Sequence, residues 1–273
     1  MIKFGGNFRR NLISSFAMYP GTSGLVTMNS MTDFFNGVAS SGGGSNVTQS
    51  FTNFGVQQIK YYSLGFYVQD ELRVNSSLTF TLALRLDRNS PEICKDNCFG
   101  RLATQFQDLN HDATIPYNQA VLTRQHQAFP NMQAVAWGPR IGFAWTPNTR
   151  LTKAGSTVLR GGFGMFNDLY PGFLADRFIT NLPNVSSFTA VDAPITPGEV
   201  GSAWSALAAN NASLQSGFAN GGTTTSLGIT PNFNSIANNI KNPAYYEWNL
   251  QLQQVLGPNT SLSINYVGNH GYN

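Results

Sequence analysis

Residues 62–87 read YSLGFYVQDELRVNSSLTFTLALRLD, and their alternation decides the fold class. Before the RVNSS turn (73–77), Tyr62, Leu64, Phe66, Val68 and Leu72 fall on one face of an extended chain. Ser63, Gly65, Tyr67, Gln69 and Glu71 fall on the other. After the turn, Leu78, Phe80, Leu82, Leu84 and Leu86 alternate with Thr79, Thr81, Ala83, Arg85 and Asp87. Successive side chains of a strand point to opposite faces, so this period of two predicts strands with one apolar and one polar face. Sustained over about ten residues, the pattern is the signature of a transmembrane β-strand, apolar toward lipid and polar toward a lumen.

The same design recurs twice. Trp137, Pro139, Ile141, Phe143 and Trp145 share a face opposite Gly138, Arg140, Gly142, Ala144 and Thr146; Leu159, Gly161, Phe163 and Met165 then oppose Arg160, Gly162, Gly164 and Phe166. Further on, Tyr246, Trp248, Leu250 and Leu252 oppose Glu247, Asn249, Gln251 and Gln253, and Leu262, Ile264 and Tyr266 oppose Ser263 and Asn265. A further strand is expected over Ile2–Arg9, with Ile2, Phe4 and Phe8 on its apolar face, and another near Ser23–Thr32.

Connection lengths alternate. Within hairpins they are short: RVNSS, PNTRLTKAGS (147–156) and LGPNT (256–260). Between hairpins they are long, roughly 88–136 and 167–245, and rich in Asn, Ser, Thr, Gly and Pro, as in ANNASLQSGFANGGTTTS (209–226). Short turns on one side and long loops on the other are the rule for outer-membrane barrels, with the long loops outside. The polar composition predicts solvated surface loops, and SSGGGSN (40–46) predicts a flexible linker or loop tip. Trp137 and Trp145 lie on one face of one strand, about 26 Å apart along it at the usual rise. With a tilt of about 45° they span about 19 Å of height, close to the apolar band between two aromatic girdles. Trp248 is a third girdle candidate. The plainer reading makes these residues the core of a sandwich.

Composition agrees with a barrel. The chain has 273 residues, of which 11% are charged, with 27 Gly, 20 Phe and 10 Tyr. Soluble domains carry about 25% charged residues. No run approaches the roughly 18 apolar residues of a transmembrane helix. The net charge of +3 is small and its Lys and Arg are scattered, which argues against nucleic acid as a partner.

Few residues suggest chemistry, and the chain is expected not to be an enzyme or to hold a cofactor. Cys94 and Cys98, in CKDNC, are spaced for a local disulfide across an extracytoplasmic loop. A metal site there would need more ligands, and His111, His126 and His270 are distant in sequence. Arg160–Gly164 (RGGFG) resembles a phosphate loop only superficially: position 167 is Asn where the third glycine belongs, and the segment reads as a strand. Its glycines are expected to bend the strand or make room in the lumen. Asp70, Glu71, Asp87 and Glu247 sit near strand ends, where charges are ordinary. Arg85, Arg140, Arg160 and Glu247 fall in polar rows and are expected to face the lumen. The arginines would then line a substrate path, pair with a plug, or form ion pairs between neighbouring strands; the ion pairs are the plainest of these roles.

As an ordered set, IKFGGNFRRN (2–11), the hairpin over 64–87, WGPRIGFAWTP (137–147), TVLRGGFGMFND (157–168) and NPAYYEWNLQLQQVLGPNTSLSINYVGNHG (242–271) resemble the barrel of TonB-dependent outer-membrane receptors. The likeness is to the Oar-like group, whose members often carry a carboxypeptidase-regulatory-like domain. It covers about the whole chain apart from the long loops. It implies a 22-stranded barrel closed by a plug and energised by TonB, neither of which is visible over residues 1–273.

The expectation is therefore an all-β fold: a partial antiparallel transmembrane β-barrel, about seven or eight strands of a larger one, with long extracellular loops. MIKFGGNFRRNLISSFAMYPG (1–21) does not read as a signal peptide, so residues 1–273 are expected to be an incomplete receptor segment. The expected partners are the lipid bilayer, TonB, a plug and an extracellular ligand, and the expected location is the outer membrane. The rival expectation is a secreted or surface β-sandwich adhesin.

Overall fold

A computed structural model describes residues 1–16, 21–148, 156–170, 172–230, 232–235 and 239–272. Seven long strands form one sheet in chain order: β1 (Ile2–Phe16), β2 (Val56–Arg73), β3 (Leu78–Asn89), β4 (Ala136–Trp145), β5 (Thr157–Asn167), β6 (Ala244–Gly257) and β7 (Thr260–Tyr272). Each pairs antiparallel with its neighbours in sequence. The two-residue strand Ile93–Cys94 extends the sheet beside β2. Among the described residues β1 and β7 do not pair with each other, so the sheet is an open arc, a partial barrel.

The register keeps the two kinds of residue apart over the middle of the wall. One row runs Ile2, Asp70, Leu82, Ile141, Phe163, Trp248 and Gly268 through all seven strands. The adjacent row, on the opposite face, runs Lys3, Gln69, Ala83, Arg140, Gly164, Glu247 and Asn269. A slip of one residue in any pair would exchange the faces, so the alternation itself fixes the pairing. Asp70 is the acidic exception in the apolar row, and its carboxylate lies 3.3 Å from the Met1 ammonium.

The apolar face has no second layer. Phe4 is 82% exposed, Phe66 58% and Ile264 58%. Sandwich strands bury this face against another sheet. That arrangement is absent among the described residues, which overturns the sandwich expectation.

The long connections all leave the same end of the wall, and the hairpin turns occupy the other. The connections are not the structureless loops their composition suggested. They pack into a cap with three apolar clusters, centred on Ile59, Phe99, Phe129 and Ile179, on Val47 and Leu207, and on Leu102, Tyr117 and Val121. Segments far apart in sequence build it: Asn46–Thr52 pairs with both Leu25–Thr27 and Val185–Ala190.

Three local expectations are corrected here. The strand expected near Ser23–Thr32 shrinks to Leu25–Thr27, belongs to the cap and is followed by the helix Met31–Asn36. The Ser30 hydroxyl caps that helix by accepting from Asp33 N at 3.4 Å, and Gly37 ends it at φ 66°. Of the two readings of SSGGGSN, linker or loop tip, it is the tip, but fastened and not flexible: Ser40 Oγ donates to Asp33 Oδ1 at 2.7 Å, and buried Ser45 accepts from Asn29 N at 3.1 Å. Much of ANNASLQSGFANGGTTTS lies in the helix Ala203–Ala219, which starts at Ser202 and buries Ala203, Leu207 and Leu214 on one side. Among the described residues no helix is long and apolar enough to cross a membrane.

Candidate functional site

Two regions concentrate polar groups: the polar face of the wall and the cap above it. On the wall, Arg85 and Asp87 alternate with apolar residues of β3 and so meet on the polar face. Arg85 Nε and Nη2 donate to the two carboxylate oxygens of Asp87 at 2.7 and 2.8 Å. Gly65 on β2 leaves the space for this pair: a Cβ there would lie 2.8 Å from Asp87 Oδ1 and 2.9 Å from Arg85 Nη2. Arg140 sits over the Phe166 ring at 4.3 Å, in cation–π range. Phe166 stacks on Tyr245, whose hydroxyl donates to Asp168 Oδ1 at 2.9 Å.

Arg85, Arg140, Arg160 and Glu247 therefore share one face. None of the three arginines makes the ion pair between neighbouring strands that was the plainest expectation. Arg85 pairs within its own strand and Arg140 pairs with a ring. Arg160, between Ala144 and Gln251, has no carboxylate within 4 Å among the described residues. Glu247 is separated from Arg140 by Gly164 in the shared row. The glycines of RGGFG also divide. Gly162 and Gly164 lie on the polar face, but Gly161 lies on the apolar one, where a Cβ would meet Phe143 Cε1 at 2.5 Å. Gly161 thus seats an aromatic ring of the next strand and makes no room in a lumen.

Trp137 and Trp145 stand at opposite ends of β4 on the apolar face, and Trp248 is on the same face of β6. A cluster of rings joins them toward the cap: Phe163 stacks on Tyr246 at 5.6 Å, and Tyr246 on Tyr272 at 5.3 Å. Tyr246 and Tyr272 share the face of Trp248 by parity and were not among the expected girdle residues.

Cys94 and Cys98 are joined in a disulfide at the base of the cap, both fully buried beside Ile59 and Phe99. Buried amides tie the cap segments to one another. Asn181 Nδ2 donates to Gly100 O at 2.8 Å and Asn234 O at 2.9 Å, and Asn181 Oδ1 accepts from Asn234 N at 2.7 Å. Asn184 Nδ2 donates to Cys98 O at 3.0 Å. Glu92 is fully buried, neither carboxylate oxygen has a hydrogen-bond partner, and burial pushes its pKa up to about 7. Among the described residues no three His, Cys, Asp or Glu side chains gather as a metal site.

An open cleft of about 470 Å³ cuts into the cap between Arg177, Thr180, Ser187, Phe188, Asn232 and Asn234. Arg177 is exposed and has no carboxylate within 4 Å among the described residues. The lining of the cleft mixes this one cation and one ring with hydroxyls and amides and with Leu182, Val185, Leu214 and Ile229. Sequence reading missed it because its walls come from three stretches of connection with no periodicity.

The family model described as "Outer membrane beta barrel domain" matches residues 1–273. No curated protein and no solved structure matches the chain.

Proposed function

The chain belongs to the outer membrane beta barrel domain family, and from that premise we propose that it supplies wall and cap to a receptor that imports a ligand with energy from TonB. The location is the outer membrane. The receptor is not an enzyme on this reading. The polar face with Arg85, Arg140, Arg160 and Glu247 lines the lumen, and Trp137, Trp145 and Trp248 stand near the lipid interfaces. The connections over 88–136 and 167–245 face outside and contact the ligand. A plug and TonB, both outside residues 1–273, complete the machine, as the Oar-like resemblance implies.

One observation carries the reading. The outward connections fold into a packed cap, with its own apolar clusters and a polar cleft, instead of fraying as loops. That packing offsets the entropy cost of ordering the connections, and it presents the cleft as a surface already ordered for a ligand. The test is uptake by intact cells of labelled carbohydrate, peptide and metal-chelate tracers. Deleting the gene or TonB should abolish accumulation of the same tracer. Unchanged accumulation of every tracer in both deletions overturns the proposal.

A further inference from the structure

The apolar face of the wall does not end in neutral residues everywhere. Toward the cap, three consecutive strands place a cation in the apolar row: Arg10 on β1 faces Tyr62, Lys60 on β2 faces Leu12, and Arg88 on β3 faces Leu64. Strand spacing and rise put Arg10 and Arg88 about 12 Å apart at the backbone, with Lys60 one step further toward the cap. None of the three cations has a carboxylate within 4 Å among the described residues. A cleft of about 560 Å³ opens beside Arg10 and Lys60, lined also by Phe8, Tyr62, Pro91 and Gln127; Arg88 lies outside its lining. Directly below lie Phe8 and Leu64, and Phe8 packs against Tyr62 at 6.2 Å.

Charge on the lipid-facing side is unfavourable within the apolar band and is favourable only where it meets anions at the interface. Long loops mark the outer side of such a wall. These cations therefore stand at the level of the outer-leaflet headgroups, and bare apolar surface continues beneath them. We propose that Arg10, Lys60 and Arg88 bind the phosphate groups of an outer-leaflet lipid headgroup, with its acyl chains lying along Phe8, Leu64 and Phe66. The guanidinium groups take phosphate oxygens by paired hydrogen bonds, and the Lys60 ammonium adds a third charge. The inference rests on the outer-membrane placement of the wall and is independent of which ligand is imported.

The test uses the full-length protein purified in neutral detergent, with lipopolysaccharide in mixed micelles as the probe. Wild-type protein should bind it more than tenfold tighter than the same lipid stripped of phosphate. Each charge removed should weaken binding about fivefold, and R10Q/K60Q/R88Q together roughly a hundredfold. The charge-keeping variant R10K/K60R/R88K should retain most of it. Equal binding of the phosphate-stripped lipid by wild type overturns the site whatever the variants do. Displacement of the lipid by an equal concentration of inorganic phosphate overturns the lipid as occupant. Absence of wild-type protein from the outer-membrane fraction would instead overturn the placement of the wall, and the site with it.

Discussion

The indole of Trp248 fills the space that a side chain at Gly268 would need. A Cβ built on Gly268 lies 2.5 Å from the indole Nε1. The two residues face each other across β6 and β7. Gly161 and Phe143 repeat the arrangement on β5 and β4. Gly268→Val is expected to cost about 1–3 kcal/mol by displacing the ring. Gly142→Ala is the control, because its Cβ would meet only a backbone oxygen at 3.6 Å. Urea unfolding in detergent, followed by heat-modified gel mobility, separates the two. Equal stability of both variants would show that the ring yields without cost.

The faces of β3 make opposite predictions for one substitution. Leu84 lies between Val68 and Pro139 in the apolar row, and Thr81 between Glu71 and Gly142 in the polar one. Leu84→Arg is expected to lose about 2–4 kcal/mol in a bilayer, and Thr81→Arg much less. Folding yield into vesicles reads the difference. A wall with the faces exchanged would reverse the order.

Glu92 gives the cap a pH dependence of defined sign. Its folded pKa, about 7, lies above the ordinary 4.5, so the folded cap holds this proton more tightly than the unfolded chain. The stabilisation is complete below about pH 4.5 and is lost as the pH rises through about 7, an effect on the order of 3 kcal/mol. Glu92→Gln removes it. The variant should resist protease better than wild type at pH 8, and the two should converge near pH 4.5. Asp33, Asp112 and Asp192 are shifted the opposite way, by hydrogen bonds from serine and threonine, so the comparison must be wild type against variant.

Asn181 should matter more than any exposed residue of the cap. Asn181→Leu leaves Gly100 O and the backbone N–H and C=O of Asn234 without their partner, at about 2–4 kcal/mol. Limited proteolysis should then cut the cap while the wall stays intact. Resistance equal to wild type would rule out the amide as a fastening.

The wall was legible in the sequence because its signal is local. Each strand states its own two faces, and a correct turn length then fixes the register of Phe66–Leu72 on Phe80–Leu86 without any distant information. The cap was not legible, for the opposite reason. Val47 is buried by packing with Leu207, and Asn181 is satisfied by Gly100 and Asn234, none of them neighbours in sequence. The helix Ala203–Ala219 hid behind its Asn and Ser content, although Ser202 and the spacing of Ala203, Leu207 and Leu214 were visible signals. The roles of the polar-face arginines were the hardest to read. Parity places them on the right face but does not say that Arg85 turns to Asp87 and Arg140 to Phe166.

The pairing of Asn46–Thr52 with Val185–Ala190 joins two segments that flank strands β2 to β5 in the chain. The later partner lies beyond β5 in the chain, so four strands of the wall separate the two in sequence. Contacts of such separation carry a large loop-closure cost unless something already holds their ends together, and the growing wall does that. An assembled wall therefore lowers the entropic cost of closing the cap. A chain ending between residues 167 and 185 would lack the strand that pairs with Asn46–Thr52 and leave that edge of the cap open.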